Sequence, residues 1–257
     1  MIESFALSIF DYQRKIQVYL PNNYKEVSKT YPVLYMHDGQ NVFENKDAIG
    51  GIALELNQYL EQNKLDIMVV GIDQNTYGDE RINEYCPWPN GAFSEKLIGN
   101  KSLSGGKGKE YVDFIVNELK PLIDRNYRTE ETQTYMAGIS LGALISTYAA
   151  CCYPHVFKRV AAISAAYYRN QEEIEKLLIT SNLTHLERFY LDCGTKESGE
   201  NDEISQLFLL SNRTIFEILS DKYVTLQFNI IENAEHHYKT FKERVPNFIN
   251  YLTAESV

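Results

Sequence analysis

The sequence predicts an α/β protein built on a mostly parallel, eight-stranded sheet. Apolar, β-rich runs recur along the whole chain, helical apolar spacings separate the later ones, and only a polar turn joins the first two. Phe5–Ile9 and Ile16–Leu20 therefore read as an N-terminal antiparallel hairpin. Val33–Met36 and Ile67–Ile72 are short, nearly unbroken apolar runs, as expected of strands buried on both faces, and a helical pattern over Ile52–Gln62 separates them. Tyr111, Phe114, Ile115, Leu119, Leu122 and Ile123 fall on one helical stripe, which predicts a helix over Glu110–Ile123. Strands at Thr134–Ala137, Val160–Ile163, Phe189–Leu191 and Val224–Ile230 then alternate with helices at Leu141–Cys152, Gln171–Ile179, Ile204–Leu219 and Phe241–Leu252. No repeat or linker divides residues 1–257, so one domain is expected. Asp73–Gly108 is a strand-to-helix connection far longer than usual, rich in Gly, Asn and Pro, and reads either as a functional loop over a site or as a packed surface excursion.

Composition narrows the partners. With 44% hydrophobic residues in 257, the chain buries a sizeable core without disulfides or metals. A net charge of −10 repels phosphate backbones and anionic lipid surfaces, so neither nucleic acid nor a membrane is expected as a partner. Residues 132–157 lack Asp, Glu, Lys and Arg, yet Gln133, Gly138, Gly142 and Pro154 make this stretch soluble core rather than a membrane span. The first ten residues carry Glu3 and no cationic region before an apolar one, so a cytoplasmic location is expected. Cys86, Cys151, Cys152 and Cys193 form no CxxC pair, which argues against a zinc site or a disulfide framework.

Chemistry concentrates at Gly138-Ile-Ser140-Leu-Gly142, set between a predicted strand and a predicted helix. A serine at so tight a turn adopts a strained backbone, and flanking glycines let the neighbouring chain approach without a Cβ clash. The helix N-terminus behind it offers unpaired N–H groups to a developing oxyanion, with the Leu141 amide as one donor. The bland reading is that Ser140 only caps the helix while the glycines allow close packing. A serine hydroxyl needs a base. Of the five histidines, only the pair His236-His237 lies beyond the last strand, on a loop over Glu232–Glu235 that precedes the final helix, in the chain order Ser, acid, His. An acid is then required between them, after a strand. Asp192, Glu197, Glu200, Asp202 and Glu203 qualify, but Asp192 reads as still on the strand and Asp202 and Glu203 as first-turn helix acids, so Glu197 leads.

With these residues in place, the chain resembles the Putative esterase family of α/β-hydrolases, which includes esterase D, enterochelin esterase and feruloyl esterases. The likeness covers about Tyr31 to Leu252. Its carriers are Tyr31-Pro-Val-Leu-Tyr-Met-His-Asp-Gly-Gln-Asn41, Gly71-Ile-Asp73 with Arg81 and Glu84-Tyr85, Tyr111 to Tyr127, the serine elbow, Gly194-Thr-Lys-Glu197, and Glu235-His236. The resemblance implies an α/β-hydrolase fold with Ser140 as nucleophile, Glu197 as acid, and His236, five residues before the aromatic Phe241, as base. Family members more often carry Asp at the acid position and Gly before the His, and His237 is the alternative base. The second oxyanion donor implied is the backbone N–H of Gln40.

Trp88 and Tyr85 on the long loop, and His37 at the end of its strand, are candidate substrate-binding residues; the competing readings are a buried loop anchor for Trp88 and a local hydrogen bond for His37. Gly105-Gly-Lys-Gly108 lacks the spacing of a phosphate loop and reads as a turn. The function expected is a serine carboxylesterase acting on a small-molecule or carbohydrate-linked ester without metal or organic cofactor. An acyltransferase using the same residues and a non-catalytic binding protein on the same scaffold are the alternatives. Oligomeric state has no sequence signal.

Overall fold

A computed structural model describes residues 1–99, 102–222 and 224–255. Its eight strands are β1 Ile2–Ile9, β2 Tyr12–Tyr19, β3 Tyr31–His37, β4 Met68–Ile72, β5 Thr129–Ile139, β6 Phe157–Ile163, β7 Arg188–Lys196 and β8 Thr225–Glu235. They form one sheet in the order β1-β2-β4-β3-β5-β6-β7-β8. The pairs β1–β2 and β2–β4 are antiparallel and every pair from β3 to β8 is parallel, as the hairpin and the later alternation predict.

Strand parity divides the core. In β3, Val33 and Tyr35 enter the larger hydrophobic cluster while Leu34 and Met36 enter the smaller one; in β5, Met136 faces the first and Tyr135 and Ala137 the second. The helices are α1 Leu56–Gln62, α2 Glu80–Tyr85, α3 Ala92–Ile98, α4 Gly108–Phe114, α5 Lys120–Asn126, α6 Leu141–Cys152, α7 Gln171–Thr180, α8 Asp202–Ser220, α9 Tyr238–Glu243 and α10 Val245–Thr253. Residues of α4, α6, α7 and α8 cover the first face, and those of α1, α9 and α10 the second. Helix α6 is buried from Leu141 to Cys151, which accounts for a sequence with no polar stripe.

Four departures from the sequence reading bear on function. The long connection, whose residues 100 and 101 lie outside the described residues, contains α2 and α3 and is not plain loop. The predicted helix over Glu110–Ile123 is α4 and α5 joined through a π-helical turn at Ile115–Leu119. The predicted final helix breaks at Arg244 into α9 and α10, because Pro246 sits in the first turn of α10 and cannot continue the helix before it. Finally, β8 does not stop near Ile230 but runs on to Glu235, so the segment expected as a loop is strand.

Because β3, β5, β7 and β8 run parallel, their carboxyl ends share one edge, which gathers Asp38-Gly39-Gln40, Ser140, Glu197 and His236 from distant parts of the chain. Some of the tightest packing at that edge is glycine on glycine. A Cβ on Gly138 would lie 2.2 Å from the carbonyl carbon and oxygen of Gly142, whereas one on Gly199 would meet nothing within 4 Å. Gly138→Ala is accordingly expected to cost about 3 kcal/mol by overpacking against backbone. Gly199→Ala, at φ 59° in open space, is expected to cost about 1 kcal/mol from left-handed strain alone. Urea unfolding of both variants measures the difference.

Candidate active site

The chain passes from β5 into α6 through Ser140, whose φ of 59° and ψ of −118° lie outside the regions L-residues favour. The strain is held by hydrogen bonds on both sides. The Ser140 N–H donates to the Ile163 carbonyl at 3.0 Å, and the Ser140 carbonyl accepts from the amides of Ala143, Leu144 and Ala166 at 3.1, 3.2 and 3.0 Å. Ser140 is left half-buried, and its hydroxyl has no hydrogen-bond partner among the described residues. Gly142 lets the start of α6 abut the β3 loop: a Cβ there would sit 3.1 Å from the His37 Cβ and 3.4 Å from an Asp38 carboxylate oxygen.

That β3 loop is itself under tension. Asp38 adopts φ 57°, its carboxylate is gripped by Arg81 through Nε and Nη2 at 2.8 and 2.9 Å, and a Cβ on Gly39 would lie 2.6 Å from the carbonyl carbon of Gly71. The Gln40 side chain turns away to accept the Gln74 N–H at 3.0 Å. Among the described residues neither the Gln40 nor the Leu141 N–H donates a hydrogen bond, which leaves both donors uncommitted at the edge where Ser140 emerges.

His236 and Glu197 meet across the ends of β8 and β7, with His236 Nδ1 and Glu197 Oε2 2.5 Å apart. The Glu197 side chain has no exposed surface. Its other oxygen accepts from Ser164 Oγ at 2.5 Å and from the Gly194 N–H at 2.6 Å. Burial alone pushes this carboxyl upward, but the bonds from His236, Ser164 and Gly194 outweigh it and hold Glu197 below the ordinary carboxylate range. His236 lies between two aromatic rings, edge-on to Phe241 at 5.1 Å and to Phe208 at 5.4 Å. His237 borders the same cleft but is otherwise engaged: its Nε2 is 3.3 Å from the exposed Glu235 carboxylate, and its Nδ1 accepts the Thr240 N–H at the start of α9.

A cleft of about 270 Å³ joins these parts, lined by Ser140, His236, Asp38, Arg81, Gln74 and Tyr238 among others. The three candidate substrate contacts do not line it. Tyr85 is fully buried and its hydroxyl accepts the Asp38 N–H at 3.2 Å. His37 is 2% exposed and pairs through Nδ1 with the Tyr111 hydroxyl at 3.0 Å. Trp88 packs edge-on against Tyr148 and lines a separate cavity of about 470 Å³ with Asn90 and Asn170. Tyr85 and His37 thus brace the β3 loop from behind, and Trp88 anchors the long connection. Arg81, Ser164, Arg244 and Asp192 are the site residues to which the sequence reading gave no role. Asp192, set aside as a strand residue, is buried on β7 and bound to Arg244 at 3.0 Å.

A family model described as Putative esterase matches residues 8–251. The chain belongs to the Putative esterase family. YbbA, an uncharacterized protein of Bacillus subtilis (strain 168), is 30% identical over 244 residues, covering 93% of this chain and 92% of its own. Among solved structures, an IroE-like serine hydrolase from Shewanella oneidensis matches with a TM-score of 0.79 at 17% identity, over 100% of this chain and 82% of that one. The siderophore hydrolase EstA from Aspergillus nidulans matches with a TM-score of 0.79 at 16% identity, over 98% and 95%. At these identities the structural likeness is one of fold alone, the α/β-hydrolase-like fold.

Burial drops the His37 pKa from its ordinary value to about 4. The unfolded chain therefore takes up a proton near pH 6.5 that the folded protein refuses until about pH 4. The stability His37 contributes is complete above pH 6.5 and is lost as pH falls toward 4, at up to about 1.4 kcal/mol per pH unit. In His37→Gln the slope of unfolding free energy against pH over this window is expected to fall by up to one proton, read from urea melts at a series of pH values.

Proposed function

We propose that this member of the esterase family is a serine carboxylesterase acting through an acyl-enzyme. The observation that carries the reading is the 2.5 Å contact between buried Glu197 and His236 Nδ1, in the same cleft as a left-handed Ser140 at the start of α6. Glu197 fixes the tautomer in which Nδ1 carries the proton, which leaves Nε2 as the base. His236 takes the Ser140 proton as Oγ attacks the ester carbonyl, and returns it to the departing alcohol. The amides of Gln40 and Leu141 receive the negative charge on the carbonyl oxygen, each worth roughly 3 kcal/mol in comparable sites. Water, deprotonated by the same imidazole, then releases the acid.

A small, largely apolar cleft with Arg81, Gln74 and Tyr238 in its wall beside Ile49, Ile139 and Phe241 suits esters of compact acids or alcohols that offer a few hydrogen bonds, the small-molecule or sugar-linked class. Structural neighbours that are named a siderophore hydrolase and a ferulic acid esterase act on substrates within that class. Ser140→Ala is expected to lower kcat by about 10³-fold or more across an ester panel and to abolish labelling by a fluorophosphonate probe. Turnover retained in that variant would defeat the assignment. Glu197→Gln is expected to reduce kcat by about 10³-fold while probe binding persists.

A further inference from the structure

Behind the Glu197–His236 pair lies a closed chain of buried polar groups that a simple acid, base and nucleophile does not need. Ser164 follows β6, is fully buried, and holds φ 43°, a left-handed conformation unusual for serine. Its N–H donates to the Asp192 carbonyl at 2.9 Å. Its hydroxyl accepts from Arg244 Nη1 at 2.7 Å. A hydroxyl has one proton, and with the guanidinium on its lone pair that proton is aimed at Glu197 Oε1, 2.5 Å away. The same Arg244 nitrogen binds Asp192 Oδ1 at 3.0 Å, and Tyr190 donates its hydroxyl to Asp192 Oδ2 at 3.0 Å. Arg244 also lies 5.2 Å from the centre of the Phe241 ring, the ring that stands edge-on to His236. One side chain in the break between α9 and α10 therefore touches the supports of both the acid and the base.

We propose that Ser164, oriented by Arg244, is the positioning residue that aims Glu197 at His236. Two donors on Oε1, the Ser164 hydroxyl and the Gly194 amide, lock the carboxylate's rotation so that Oε2 alone faces the imidazole. Removing the hydroxyl leaves the Gly194 amide and the long Cys193 Sγ contact at 3.8 Å on Oε1, too little to hold its rotation, and the carboxylate swings away from Nδ1. Glutamate has one more rotatable bond than aspartate, so a family member with Glu at this position has more need of such a lock. The inference rests on the serine-esterase reading above, and it concerns kcat, because the site that binds the ester is untouched.

The test is a double-mutant cycle between Ser164→Ala and Glu197→Ala, with kcat and KM measured on an ester the wild type turns over. In the wild-type background Ser164→Ala is expected to lower kcat about tenfold with KM within about twofold. In the Glu197→Ala background, where no carboxylate remains to be aimed, it is expected to change kcat by less than about twofold. An equal drop in both backgrounds, a change confined to KM, or no change in the wild type overturns the proposal. Should Ser164→Ala fail to fold, Ser164→Cys, a weaker donor of similar shape, is judged by the same criteria. Ser140→Ala run alongside separates the two levels: turnover retained there overturns the serine reading and this inference with it, whereas a dead Ser140→Ala with an uncoupled cycle overturns this inference alone.

Discussion

The crossing of Gly138 and Gly142 is the contact on which the rest of the site depends. With no Cβ on either residue, α6 starts within backbone contact of the strand that feeds it, and the chain reverses in the single residue between Ile139 and Leu141. That reversal is possible only with Ser140 in the left-handed region, a conformation that costs on the order of 1–3 kcal/mol unless its surroundings hold it. Three amides on its carbonyl and one carbonyl on its amide do so. The same approach presses Gly142 against His37 and Asp38 and so brings the β3 loop, with its free Gln40 N–H, beside the first amide of α6. A larger residue at either glycine would separate the two donors from each other and from the hydroxyl.

Much of this is legible in the sequence because parallel strands and the elbow have strong local signatures. Strands such as Val33–Met36 are apolar throughout since both faces are covered, and the serine turn needs small residues at fixed offsets. What the sequence conceals has physical causes. Helices α2 and α3 are each under two turns, and the Cys-Pro-Trp-Pro-Asn-Gly segment between them masks any apolar period. Arg244 looks like an ordinary helical cation until Pro246 breaks the helix there and turns the guanidinium inward to a buried aspartate. Trp88 and Tyr85 read as pocket walls because exposure cannot be inferred from residue type when a loop folds back on itself.

The histidine pair shows how one boundary controls a functional reading. If β8 ended near Ile230, the orientation of His236 relative to His237 would be undetermined. The strand continues, but its alternation slips at Asn233, where φ is 57° and Glu232 and Asn233 are both exposed; beyond that point Ala234 is buried, Glu235 is exposed, and His236 turns inward to Glu197. His237 then falls on the outer side with Glu235 and serves as the cap of α9. That slip, with the shift in the β7–β8 register between Gly194 and Lys196, brings His236 level with Glu197.

Charge balance separates this site from the rest of the buried polar groups. Arg14 with Glu84 and Arg81 with Asp38 are closed pairs, each cation facing one carboxylate, and both tie the long connection to the body of the sheet. At the catalytic edge the count differs, for Arg244 stands between Asp192 and Glu197, two buried carboxylates, and contacts the second only through Ser164. One negative charge is left over, and the group in contact with it is His236. Under the proposed mechanism the imidazole gains a proton beside that surplus charge, so the cluster is nearest to neutral in the transition state, which is the differential stabilisation that lowers a barrier instead of merely tightening binding.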